Sequence, residues 1–183
     1  MFKYKRGLRS NSSPVLVEVI IDNDDAISVG DMVKCYNAGN AEAATAAVPI
    51  FGVVHAIVDK YGIGIKPEKA TMATVGDATV ATGLDGAVTV ADDNETVDLI
   101  KAVVDISRES IYSGDVTGTI GTTNSSEKLG ASINLADKEN IDETTATRSG
   151  QAQLYGWGTD PDDTGNLLVS IMESERYGGA AYS

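Results

Sequence analysis

The stretch "DPDDTGN" sets Asp160, Asp162 and Thr164 at alternate positions ahead of Gly165. Oxygen side chains at every second residue, with a glycine to turn the chain, suit a hard cation such as calcium. The pattern then fails, because Ile171 stands where the closing bidentate Glu of a calcium loop belongs. "DNDD" (residues 22–25) and "DDNE" (residues 92–95) are acidic clusters of the same kind. Asp-rich turns are commonly just solvated, so Asp160, Asp162 and Thr164 are a weak calcium candidate and no metal site is expected.

Other chemistries lack their parts. A glycosidase pair of carboxylates needs a cleft with stacking aromatics, and aromatic residues are 5% of this chain. His55 is the single histidine, set in an apolar run where a core or interface role is the ordinary one. Without a second His no His-rich zinc site forms, and no Ser or Cys stands in a nucleophile elbow. Cys35 is alone, which excludes a disulfide framework and reads as a small, half-buried hydrophobe. Neither GxxxxGK[ST] nor a strand-following GxGxxG is present, so no nucleotide cofactor is implied. The expectation is a non-enzymatic protein with no cofactor. If a small ligand binds at all, the nucleus is Tyr155 and Trp157 in "QLYGWG", which would suit a carbohydrate or cell-surface module.

A recurring dipeptide needs explanation. Gly30-Asp31, Gly76-Asp77 and Gly114-Asp115 each precede an apolar-polar alternation. Glycine supplies positive φ and the aspartate caps the turn, so the three pairs are expected to mark strand starts. Their spacings, 46 and 38 residues, are too irregular for a solenoid or propeller.

The elements around them read as strands. Val, Ile, Thr and Gly are abundant, and helical periodicity is weak throughout. Strands are predicted over 14–22, 32–36, 48–59 (bent at Gly52), 61–65, 70–75, 96–107, 131–135, 151–157 and 166–172. Asp85-Gly86 between "ATVATGL" and "GAVTVAD" predicts a hairpin. "NAGNAEAATAA" predicts an irregular connection. Together these define an all-β protein: a small β-barrel or sandwich core over 14–107, and a β-rich C-terminal subdomain or elaboration with a tail over 108–183. Residues 1–13 read as an extended basic arm.

Charge is unevenly spread. The net charge is −13, yet Lys3, Lys5, Arg6 and Arg9 crowd the first nine residues, leaving 10 basic residues against 27 acids elsewhere. Such a body repels phosphate backbones, so no nucleic-acid partner is expected. The arm is expected to lie against an acidic surface of a neighbouring subunit. No apolar run reaches the roughly 18–20 residues of a membrane span, and no signal peptide is read, so the chain is expected to be soluble and made in the cytoplasm.

The order of motifs in "SVGDMVKCYNAGNAEAATAAVPIFGVVHAIV" resembles the capsid cement, or head decoration, proteins of tailed bacteriophages. The matching residues are Gly30, Asp31, Val33 and Lys34, then Ile50, Gly52, Val53 and Val54, then Gly76-Asp77 and Asp85-Gly86. The match covers about residues 28–91 and has no counterpart after Arg108. The resemblance implies a small β-barrel bound in many copies, often as trimers, to the major capsid protein on the outside of the virion head. Within virion proteins, a tail-tube, neck or minor capsid component is the alternative.

Overall fold

The computed structural model describes residues 2–7, 13–22, 26–36, 39–45, 48–59, 61–64, 79–80, 88–89, 100–107, 109–116, 130, 132–147, 151–157 and 166–171. These residues are all-β, as expected. In chain order the strands are β1 (Lys3–Gly7), β2 (Leu16–Ile20), β3 (Ala26–Ile27), β4 (Met32–Tyr36), β5 (Asn40–Ala43), β6 (Gly52–Val58) and β7 (Thr79–Val80). They continue with β8 (Val88–Thr89), β9 (Lys101–Asp105), β10 (Ser110–Val116), β11 (Ser132–Leu135), β12 (Asn140–Thr147), β13 (Ala152–Trp157) and β14 (Asn166–Ile171).

The first five-stranded sheet has the order β2-β9-β6-β4-β5. Its two end strands meet where Ile21 bridges Ala41 in parallel and the Asp22 N–H donates to the Ala41 carbonyl at 2.9 Å. Period-2 alternation turns Val19, Ile21, Val33, Val54, Ala102 and Val104 into one buried cluster inside this curl. A ribbon of β3, β8 and β7 flanks it. In that ribbon β7 and β8 pair antiparallel, with Thr79 opposite Thr89 and Val80 opposite Val88; the expected turn at Asp85-Gly86 lies outside the described residues.

The second sheet closes fully: β10-β12-β11-β13-β14 and back to β10, with β1 added on β10. Inside lie Ile133, Leu135, Ile141, Leu154, Leu167 and Val169. The region after 108, expected as an elaboration, therefore contains the closed barrel, and the N-terminal strand is part of its sheet.

The two five-stranded units repeat one topology in one register. In each, the first strand is parallel to the third and every other pairing is antiparallel. Cys35 opposes Ala41 as Leu135 opposes Ile141, and Val33 opposes Gly52 as Ile133 opposes Ala152, an offset of 100 residues. Val54 opposes Val104 as Leu154 opposes Val169, and Val17 opposes Val104 as Tyr112 opposes Val169. Even the closing parallel pairs correspond, Ile21 with Ala41 and Val116 with Ile141. One irregularity recurs as well: the ladder slips between Val54 and Ala56, and again between Leu154 and Gly156, whereas the slip between Ile133 and Asn134 has no counterpart between β4 and β5.

Several expectations are corrected. Gly114 does not open a strand: it lies inside β10, outside the glycines of positive φ, and is followed by Asp115 in the same strand. A Cβ at Gly114 would collide with the Phe2 ring and Ile141, so close packing explains this glycine. The true equivalent of Gly30 is Gly130: their φ angles are 92° and 82°, and their N–H groups donate to the Val54 and Leu154 carbonyls, each at 2.8 Å. The Ala-rich connection contains strand β5. Residues 61–63 form a turn rather than a strand, built on Asp59, whose carboxylate accepts from the Tyr61 and Ile63 N–H groups at 2.9 and 2.8 Å. Trp157 ends β13, within the strand predicted over 151–157.

Candidate interaction surface

Among the described residues, the seam between the two barrels gathers several of the buried polar groups. At its centre is the first Gly-Asp turn. Asp31 is fully buried, and its Oδ2 accepts from the Ser28 N–H at 2.9 Å while its own N–H donates back to the Ser28 carbonyl at 3.1 Å. The aspartate thus caps the turn before β4, as its sequence predicts. It also does more. Lys138, in the β11–β12 hairpin, places Nζ 2.9 Å from the same Oδ2, and the Met32 N–H donates to the Lys138 carbonyl at 2.8 Å.

Burial pushes the Asp31 carboxyl above its ordinary value, overriding the pull of Lys138 and the Ser28 N–H. Lys138 also moves up, because its bonds to Asp31 and the charges of Asp31 and Glu139 outweigh its partial desolvation. Asp31 Oδ1 and Ser28 Oγ are buried with no hydrogen-bond partner among the described residues.

Two further ties cross the seam. Gln151, 1% exposed, accepts from the Leu135 N–H at 3.0 Å and donates to the Thr45 and Val48 carbonyls of the first unit. Asp105, 2% exposed, accepts the hydroxyls of Ser110 and Tyr112 at 2.7 Å each and the N–H groups of Ser107 and Val15 at 2.8 and 3.2 Å. These bonds engage both carboxylate oxygens in holding backbone and side chains, so Asp105 is a structural hub.

The arm completes the seam. Phe2 is 2% exposed, rests where Gly114 leaves room, and donates its N–H to the Gly30 carbonyl at 2.8 Å. β1 runs antiparallel to β10, Lys3 opposite Ser113 and Arg6 opposite Ile111, with a slip at Lys5. Tyr4 meets Tyr112 edge to face at 6.4 Å. Residues 3–7 of the expected arm are therefore hydrogen-bonded within their own chain. Lys5 is exposed, whereas Arg9 lies outside the described residues. Beside β1 opens a cavity of about 330 Å³ lined by Phe2, Tyr4, Val29, Val53, His55 and Tyr112. Its walls are chiefly apolar, with Asp105 also among the lining residues.

The remaining expected site residues are scattered. His55, read as a core or interface side chain, is exposed at the ladder slip in β6, and Tyr155 is exposed at the matching slip in β13. The Tyr155 hydroxyl donates to Gln153 Oε1 at 3.1 Å. Gly76, Asp77, Asp85, Gly86, Asp160, Asp162 and Thr164 lie outside the described residues. Among the described residues no group of three or more His, Cys, Asp or Glu side chains could hold a metal ion. Asp31, Asp105 and Lys138 gained their importance from tertiary placement. The only sequence signal was the Gly-Asp turn at Asp31.

The fold and seam define a tandem β-barrel protein joined by buried polar ties. No family model, curated protein or solved structure matches the chain.

Proposed function

We propose that this chain is a non-enzymatic structural protein of a tailed-bacteriophage virion, bound in many copies to the outside of the major capsid protein shell and stabilising it. The observation that carries the reading is the use made of the segment bearing the cement-protein motifs. Gly30 and Asp31 form the capped turn, Val33 and Lys34 lie in β4, and Gly52, Val53 and Val54 open β6. The motif residues thus share one continuous piece of the first unit, facing both its core and the seam. Two small barrels locked by buried ties also make a stiff unit, and many modest contacts by stiff copies add up through avidity. In this reading the exposed Lys5 and the other basic residues of the arm meet an acidic shell surface.

The test is co-sedimentation of the purified protein with assembled shells of the major capsid protein, followed by calorimetry of the decorated particle. Saturable binding at a fixed copy number per shell, with a higher shell melting temperature, supports the reading. An absence of co-sedimentation at low salt overturns it. Localisation at the tail or neck by electron microscopy would replace it with the alternative virion role.

A further inference from the structure

The shared register exposes a difference between the two units. In the second, the outward edge of β10 is occupied: β1 covers it at Ile111 and Ser113, which are 1% and 7% exposed. The equivalent residues of the first unit are Leu16 and Glu18 on β2. The Ile106 N–H donates to the Val15 carbonyl and the Ile21 N–H to the Ile100 carbonyl, so odd-numbered residues of β2 bond toward β9. The N–H and C=O groups of Leu16 and Glu18 therefore face the opposite edge, where no strand pairs with them among the described residues. Val15 is 52% exposed, Leu16 is 45% exposed, and the Glu18 side chain is 52% exposed.

We propose that this edge of β2 is a strand-addition site for a partner protein's extended segment, one that alternates basic residues with an apolar or aromatic one. The argument for its chemistry comes from register. Lys3 opposes Ser113, Tyr4 opposes Tyr112 and Arg6 opposes Ile111. Transferred to β2, the same strand sets a basic residue opposite Glu18, an apolar one opposite Val17 and a long side chain over Leu16. Opposite charges directly across a ladder attract; Glu18, standing where the neutral Ser113 does, already pairs with Lys101 of β9 at 3.0 Å, and its half-exposed carboxylate can take a second cation from the open side. The acidic body favours the same sign of partner. Val19 fills the position equivalent to Gly114, so the incoming strand needs no anchoring ring like Phe2. Main-chain bonds at an open edge give the affinity, and the alternating side chains give the preference. This inference stands apart from the virion reading.

The probe is the peptide Phe-Lys-Tyr-Lys-Arg-Gly added to the intact protein, with amide hydrogen exchange read at Leu16 and Glu18. Saturable slowing at those two amides is expected, weakening as salt is raised. Glu18→Pro removes an edge donor while sparing the bonds to β9, and is expected to abolish the slowing. Should that variant misfold, Glu18→Lys keeps the backbone and is expected to weaken the peptide roughly five- to tenfold through charge reversal. Slowing confined to Ile111 and Ser113 would show peptide exchange with β1 and overturn the proposal. So would binding indifferent to both variants, or self-association through this edge without peptide.

Discussion

Lys138 Nζ lies 2.9 Å from Asp31 Oδ2, and this contact joins the hairpin of one barrel to the capped turn of the other. Lys138→Met leaves a buried carboxylate with one backbone donor. Removing one member of such a pair costs about 3 kcal/mol or more, read as a lower urea midpoint with unchanged slope. Adding Asp31→Asn to Lys138→Met is expected to recover part of that loss.

The pH dependence of this pair has opposite signs at its two ends. Because Asp31 titrates above 3.8 in the folded protein, its proton is held more tightly there than in the unfolded chain. Acidification toward 3.8 should therefore stabilise the wild type relative to Asp31→Asn. Lys138 titrates above 10.5, so its contribution is complete below 10.5 and lost as the pH rises through the higher folded value. Urea midpoints measured across both ranges check the two slopes. A parallel course of wild type and Asp31→Asn in acid would contradict the first.

Gly114→Ala is expected to push Phe2 from its seat, destabilising the protein by about 1–3 kcal/mol as overpacking does. Trypsin should then cut the arm at Lys3, Lys5 or Arg6 faster than in the wild type. In Phe2→Ala the same Gly114→Ala change should cost much less, because the two residues share one space.

Asp105→Ala strands two buried hydroxyls and the Ser107 N–H together. A loss of about 3 kcal/mol or more is expected from unsatisfied buried donors. Asp105→Asn keeps two of the acceptor geometries at most and should fall between. Thermal unfolding of the three proteins gives the order.

Cys35 is exposed on β4 rather than half-buried as its sequence suggests, yet desolvation by its surroundings, with the Glu42 charge nearby, pushes the thiol up to about 11. Its thiolate fraction near neutrality is small, so iodoacetamide should label it more slowly than a free thiol. The rate should climb steadily as the pH approaches 11. Rapid labelling at neutral pH would contradict this environment.

Much of the fold could be read where side chains alternate. "MVKCY" gave β4 with its observed bounds, and "LVEVI" and "NLLVSI" announced β2 and β14. β5 and β12 were missed because "NAEA" and "NIDETTAT" carry little apolar alternation; their pairing comes from the hairpins that return them to β4 and β11. The internal duplication was hidden for a different reason. A barrel fixes the inward direction of a residue, not its type or size, so Val33 stands where Ile133 does and Ala41 where Ile141 does. Gly114-Asp115 reads like the turn at Gly30-Asp31 because a dipeptide cannot show whether a glycine is there for its dihedral or for its missing side chain. The seam was invisible since Asp31 and Lys138 are 107 residues apart.

The position of β1 also sets an order of events during synthesis. Phe2 leaves the ribosome early, but its seat at Gly114 is made more than a hundred residues later, which takes about 5–20 s at ordinary elongation rates. The strands between, β2 to β9, can meanwhile curl and bury their own cluster. Through that interval the first strand is an unclaimed sticky end, and its run of positive charge helps keep it solvated until the second barrel arrives to receive it.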